Sequence, residues 1–213
     1  MPSAPFITFE GVEGAGKTTL AQQLAEWLRA LGVPTLLTRE PSGALGETLR
    51  PILLNHALDA YTELFLFLAD RRQHTLQHIR PALEQGVWVL CDRYADSTLV
   101  YQGYGRRLPL ELVRQLNALA TDGVQPDLTL LLDAPVEIAL ARANEPNRFE
   151  RETIEFHQRI RDGYLQEATR EPQRFFVLNA LEPPETLLRQ AQAAIQTRFR
   201  TPNRPTEPET GLS

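Results

Sequence analysis

Gly11 to Thr19 reads Gly-Val-Glu-Gly-Ala-Gly-Lys-Thr-Thr, directly after the strand-like run Phe6-Ile7-Thr8-Phe9 and directly before a helix-like run. It fits G-x-x-x-x-G-K-[ST], with Gly11, Gly16, Lys17 and Thr18 in the fixed places. No other stretch constrains the fold as much, because this loop works only where a strand enters it and a helix leaves it. The glycines let successive amide N–H groups converge on a polyphosphate at the positive end of the following helix. Lys17 then bridges the outer phosphates, and the Thr18 hydroxyl is a ligand for magnesium.

Beyond the loop, Leu20, Leu24, Trp27, Leu28 and Leu31 recur at helical spacing until Gly32 and Pro34 stop them. Thr35–Thr38 then reads as a short strand, so strand, loop, helix and strand form the first unit of a parallel sheet. Further strands are expected at Val87–Cys91, Leu128–Leu132 and Phe175–Leu178. Helical patterns fall at Leu45–Leu54, Tyr61–Leu83, Ser97–Gln102, Leu110–Thr121, Val136–Ala143, Thr153–Thr169 and Leu187–Phe199, the penultimate one with Ile154, Ile160, Tyr164 and Leu165 on one face. Pro51 and Pro81 are each expected to break, kink or restart a helix. This alternation predicts an α/β fold with a five-stranded parallel sheet flanked by helices on both faces. Residues 1–200 read as one domain, with a polar, proline-containing lid at about 143–152, and 201–213 as a disordered tail.

Composition narrows the function. The chain has 213 residues and a net charge of −5, which argues against a general nucleic-acid coat. One cysteine, Cys91, cannot close an internal disulfide. Apolar runs such as Leu64–Ala69 are too short to span a bilayer, and the N-terminus lacks a signal-peptide pattern. The expected setting is the cytoplasm, with no membrane partner.

In parallel sheets ligands collect beyond the carboxyl ends of the strands, which here carry Glu10 to Thr18, Arg39-Glu40, Asp92-Arg93 and the loop after Asp133. Asp92, after an apolar strand, is placed to bind magnesium directly or through water. The guanine-specifying Asn-Lys-x-Asp of GTPases is absent, since Lys17 is the one lysine in the chain. The other candidate phosphate ligands are arginines, which make planar, two-pronged contacts: Arg39, Arg50, Arg71 and Arg93 near strand ends, and Arg142, Arg148 and Arg151 around the lid. Clustering at the ligand edge favours two phosphorylated molecules over one.

With these residues assembled, the sequence resembles bacterial thymidylate kinases from Phe6 to about Arg198. The likeness rests on Phe9-Glu10-Gly11-Val12-Glu13-Gly14-Ala15-Gly16-Lys17-Thr18-Thr19, Thr38-Arg39-Glu40-Pro41, Phe67 with Asp70-Arg71, Asp92-Arg93-Tyr94 with Ser97-Thr98, Tyr101-Gln102-Gly103 and Pro126-Asp127-Leu128-Thr129. The resemblance implies a P-loop nucleoside monophosphate kinase with a short lid. Its reaction would be transfer of the γ-phosphoryl group of ATP to dTMP, giving dTDP and ADP on the way to dTTP. It implies an ATP site of Gly11, Val12, Glu13, Gly14, Ala15, Gly16, Lys17, Thr18 and Thr19, with adenine between Arg142 and Asn179-Ala180. For dTMP it implies that Phe67 stacks on thymine and Arg71 meets a base carbonyl, with Thr98 and Gln102 completing the base pocket. Arg50 and Arg93 would hold the acceptor phosphate, Glu13 would face the deoxyribose 3'-hydroxyl, and Glu40, Ser97 and Tyr101 would line the same site. Magnesium would sit at Thr18 and Asp92, and the catalytic group would be Lys17, Arg93, Arg148 and Glu13.

In one form of the family the extra catalytic arginine lies in the phosphate loop, and in the other it lies in the lid. Here the loop has Glu13-Gly14-Ala15 and no arginine, so the likeness is to the lid-arginine form, with Arg148 as the catalytic arginine and Arg142 and Arg151 as helpers. Pro146, and Asn147 in place of a familiar aspartate, depart from the family pattern. A homodimer through Leu45–Leu54, Tyr61–Leu83 or Leu110–Thr121 is implied as well. Competing readings are another nucleoside or nucleoside-monophosphate kinase and a nucleotide switch acting through a protein partner.

Overall fold

Each of the five runs expected to be strands becomes one, and each strand extends one residue past its expected end to finish on a polar side chain. In the computed structural model, which describes residues 4–142 and 148–201, the strands are β1 (Phe6–Glu10), β2 (Thr35–Arg39), β3 (Trp88–Asp92), β4 (Leu128–Asp133) and β5 (Phe175–Asn179). All pairings are parallel and the order is β2-β3-β1-β4-β5. The polar ends Glu10, Arg39, Asp92, Asp133 and Asn179 therefore share one edge of the sheet. Pairing of Phe9 with Asp92 in β1–β3 and of Arg39 with Asp92 in β2–β3 sets Asp92 beside the exit of the phosphate loop.

Alternation along the strands divides the core. Ile7, Phe9 and Leu90 pack with Leu20, Leu24 and Leu28 of α1 (Lys17–Ala30) on one face. Phe6, Val89 and Cys91 pack with Ile79 and Tyr94 on the other. Leu24 and Leu28 are fully buried, each contributing about 1.5–3 kcal/mol by leaving water. The remaining helices are α2 (Gly43–Asn55), α3 (Ala60–His74), α4 (Arg80–Glu84), α5 (Ala95–Thr98), α6 (Leu110–Thr121), α7 (Val136–Ala141), α8 (Ile154–Arg170) and α9 (Pro184–Arg198).

Several expectations need correction. Pro51 lies inside α2 without ending it; it sits on the exposed face, where water can satisfy the carbonyl it leaves without a partner. The helix expected over Tyr61–Leu83 is continuous but changes pitch: α3 passes through a π-helical turn at Thr75–Ile79 into α4, where Pro81 stands at a first-turn position. The helix expected at Ser97–Gln102 is α5 followed by a π-helical segment, Leu99–Gly105. Ile154, expected on the buried face of α8, is 52 % exposed. Residues 143–147, which hold half of the expected lid including Pro146 and Asn147, and residues 202–213 of the expected tail lie outside the described residues. Among the described residues no helix is long and apolar enough to cross a membrane.

Candidate active site

The loop between β1 and α1 is shaped by close approach. Gly11 has φ 140° and a Cβ there would stand 2.4 Å from the Leu132 carbonyl oxygen; Gly14 has φ 74° and a Cβ there would stand 1.9 Å from the Ala139 carbonyl oxygen. Only glycine fits both the dihedral and the space. Gly16 caps α1 in a left-handed conformation, so the amides of the first turn face the cleft. Lys17 folds back over the loop, donating from Nζ to the carbonyls of Gly11 (3.1 Å) and Val12 (2.8 Å). Burial and then Arg93 push its pKa down to about 8. Thr18 Oγ1 donates to Asp92 Oδ2 at 2.5 Å.

Arg93 joins this loop to the rest of the cleft. It follows β3 with φ 72°, a left-handed conformation that a non-glycine residue adopts only when its surroundings hold it there. Its Nη2 is 2.8 Å from Glu13 Oε1 and donates to Tyr101 Oη at 3.2 Å, while Nη1 donates to Ser97 Oγ at 3.1 Å. Burial alone would raise the Glu13 pKa, but the nearby Arg93 and Lys17 overcome it and hold the carboxyl down at about 2. Beneath them Glu10 accepts from Tyr94 N, Ser97 Oγ and Tyr164 Oη. Burial, then Asp96, raises its pKa to about 7.

Phe67 and Arg71 both come from α3 and line the cleft. Arg71 is buried and donates from Nε to Glu40 Oε2, from Nη1 to Thr98 Oγ1 and Asn117 Oδ1, and from Nη2 to the Tyr94 carbonyl, with Nη2 also 2.7 Å from Glu40 Oε2 in an ion pair. Protein acceptors take hydrogen bonds from four of its five N–H groups. Glu40 in turn bonds His74 Nδ1 at 3.2 Å. Arg50 is different. It lines the cleft half-buried, and burial together with Arg39 lowers its pKa, a stress that an arriving phosphate dianion relieves. Phe149, which the sequence reading did not single out, closes the aromatic slot with ring centroids 6.1 Å from Phe67 and 5.7 Å from Tyr101.

These groups line one cleft of about 400 Å³. Of the expected residues it gathers Glu13, Gly14, Gly16, Lys17, Thr18 and Thr19 with Asp92 at one end, and Glu40, Arg50, Phe67, Arg71, Arg93, Ser97, Thr98, Tyr101 and Gln102 toward the other. Gly11, Val12 and Ala15 belong to the same loop and do not line the cleft, Val12 and Ala15 being buried in the core. Arg142 lines the cleft and donates to the Ala180 carbonyl at 3.0 Å, bringing Arg142 and the Asn179-Ala180 turn together.

Arg148 is held outside the cleft wall. Its Nε and Nη2 donate to the Leu53 carbonyl (3.1 and 2.8 Å) and its Nη1 to Glu63 Oε2 (2.7 Å), and it does not line the cleft. The reason is electrostatic: Glu63 is fully buried, and a buried carboxylate retains cations that a solvated one would release. Arg151 is exposed.

The family model described as thymidylate kinase matches residues 9–191. A thymidylate kinase of Desulfovibrio desulfuricans is 51 % identical over 209 residues, covering 92 % of this chain and 96 % of that protein. One from Nostoc is 46 % identical over 204 residues, covering 92 % and 97 %. The crystal structure of the Ehrlichia chaffeensis thymidylate kinase superposes with a TM-score of 0.76 at 38 % identity, covering 92 % of this chain and all of that one.

Proposed function

The chain belongs to the thymidylate kinase family, and from that premise we propose how its cleft lays two nucleotides end to end. It is a phosphotransferase that moves the γ-phosphoryl group of ATP to dTMP, giving dTDP and ADP in nucleotide biosynthesis. The observation that carries the assignment of residues is one cleft with a phosphate loop at one end and, at the other, an aromatic slot beside Arg50. ATP lies along Gly11–Thr19 with its adenine toward Arg142 and Asn179-Ala180. The dTMP base enters between Phe67 and Phe149, and its phosphate meets Arg50 and Arg93. Lys17 and Arg93 gather the charge that develops between donor and acceptor, and Glu13, held by Arg93 and Tyr101, faces the sugar. Holding both reactants in line is the main source of rate in such chemistry.

The adjacent Thr18 and Asp92 oxygens fit a magnesium ion, and among the described residues no cluster of three His, Cys, Asp or Glu offers an alternative cage. Two protein oxygens with the ATP phosphates supplying others match the preferences of magnesium. When bound, the ion neutralises phosphate charge.

The exposed apolar side chains Phe65 of α3 and Leu119 of α6, 55 % and 70 % exposed, favour a homodimer through these helices. The net charge of −5 and lone buried cysteine accord with a cytoplasmic enzyme acting on small molecules, with no nucleic-acid or membrane partner. We read residues 1–200 as one kinase unit.

The test offers ATP with dTMP, dUMP, dCMP, CMP or thymidine and follows ADP. Addition of dTMP is expected to accelerate ADP release strongly, thymidine not at all. Phosphorylation of thymidine with dTMP ignored would remove the assignment.

We assign Arg148 to anchoring rather than to the transferring phosphoryl group. Arg148→Ala is expected to lower Tm by roughly 2–8 °C, the consequence of taking one of its cationic partners from buried Glu63. Turnover should fall less than about tenfold, against the 10³–10⁵ typical of an arginine that meets the phosphoryl group itself. Single-turnover kinetics and a melting curve on one preparation separate the two.

A further inference from the structure

Glu63 of α3 is fully buried, lies just outside the cleft wall and holds no place in the reaction described above. Its Oε1 accepts from Gln102 Nε2 at 2.7 Å and from Arg106 Nε at 3.2 Å; its Oε2 accepts from Arg148 Nη1 at 2.7 Å and from Arg106 Nη2 at 3.2 Å. The carboxylate is held in place because both arginines are tied elsewhere. Arg106 also bonds Glu152 at 2.5 Å and stacks over the Phe156 ring at 4.6 Å, and Arg148 is fixed to the Leu53 carbonyl.

A carboxylate accepts hydrogen bonds and donates none, so it decides which way the Gln102 amide points. The nitrogen must face Glu63. The oxygen, on the other arm of the same planar group, is left for the cleft that Gln102 lines. We infer that Glu63 is a positioning residue that holds the Gln102 carbonyl oxygen toward the acceptor base, so that the pocket takes a pyrimidine whose N3 carries a hydrogen and rejects one whose N3 is a lone pair. The inference rests on the reading of this cleft as the dTMP site. Thymine and uracil present N3–H to that oxygen. Cytosine presents a lone pair, and two acceptors face each other. A site built to hydrogen-bond its substrate discriminates far more sharply than an apolar pocket does.

Glu63→Gln keeps the shape and changes the code. Two guanidinium donors meet Oε2 and one, Arg106 Nε, meets Oε1, so the new amide's oxygen settles on the Oε2 side at the loss of the Arg106 Nε bond, which turns its NH2 toward Gln102. Gln102 then reverses and offers N–H to the cleft, the complement of the cytosine N3 lone pair. The kcat/KM ratio of dTMP to dCMP is expected to fall by about 30-fold or more, in line with loss of a buried matched hydrogen bond. The ratio of dTMP to dUMP, both of which carry N3–H, should stay within about twofold, as should KM for ATP. In the background of Gln102→Ala, adding Glu63→Gln should change the dTMP to dCMP ratio by no more than about twofold, because both act through one amide.

A folded Glu63→Gln enzyme with the wild-type dTMP to dCMP ratio overturns the inference. Equal loss against dUMP and dCMP also overturns it, since that is a loosened pocket rather than a reversed amide. If Glu63→Gln does not fold, Glu63→Asp, which withdraws the carboxylate by one methylene, carries the same test with the same direction expected. The wild-type enzyme keeps the two readings apart. Failure to prefer dTMP over dCMP there removes the assignment of the pocket, whereas a preference that survives at Glu63→Gln removes only the role of Glu63.

Discussion

Arg93→Ala is expected to lower turnover by about a thousandfold, the scale set by removal of a preorganised cation from a phosphoryl-transfer site. Arg93 reaches both the phosphate loop, through Glu13, and the acceptor wall, through Ser97 and Tyr101. Its loss should therefore act on the step where both substrates are present, and KM for ATP should rise far less than kcat falls. Removing Arg93 also frees Glu13 from its main counterion, so that burial raises the carboxyl's pKa from its low value of about 2. Arg93→Lys should rescue poorly, because an ammonium cannot span the same partners in a plane. The backbone supplies an internal control. At φ 72° alanine is strained and glycine is not, so Arg93→Gly should be as inactive as Arg93→Ala yet more stable by roughly 1 kcal/mol. If the glycine variant were no more stable than the alanine variant, the left-handed backbone would not be the source of strain.

Much of this machinery was legible in the sequence because it lies in local patterns. The phosphate loop needs a fixed spacing of glycines, and uninterrupted apolar runs reveal parallel strands whose ends carry Glu10, Asp92 and their neighbours. What the sequence did not reveal depends on pitch or on distant pairing. Tyr101 and Gln102 lie on a π-helical segment, and no periodicity read at ordinary helical pitch finds the extra residue in that turn. Arg71 was legible as a cleft residue, but not its hydrogen bond to Asn117, which reaches it from α6 across 46 positions of sequence. Arg148 was singled out through the likeness to the lid-arginine form, and its contact with a buried glutamate 85 residues earlier lies outside any local pattern. One signal was available and unused: Glu63, Phe67 and Arg71 stand four apart on one helix, which puts a carboxylate on the stripe that carries the cleft-lining Phe67 ring.

Lys17→Met is expected to reduce turnover by about three orders of magnitude if, as proposed, this side chain bridges the outer phosphates, since methionine keeps its length without its charge. Lys17 is also the group that should tie ATP affinity to pH. Burial and Arg93 hold its pKa at about 8, below its ordinary 10.5, whereas the phosphates of bound ATP favour the charged form and raise it. Below pH 8 the free enzyme already carries the proton and affinity is flat. Above pH 8 the lysine must take up a proton before it binds, so affinity should fall by up to about tenfold per pH unit until the pKa of the complex is reached. Calorimetry at pH 8.5 in two buffers of different ionisation enthalpy should show proton uptake on ATP binding. Lys17→Met should bind more weakly at pH 7 and show neither the uptake nor the slope. A slope retained in Lys17→Met would assign the titration to another group, and wild-type affinity that is level from pH 7 to 9.5 would mean that the lysine is already fully protonated in the free cleft.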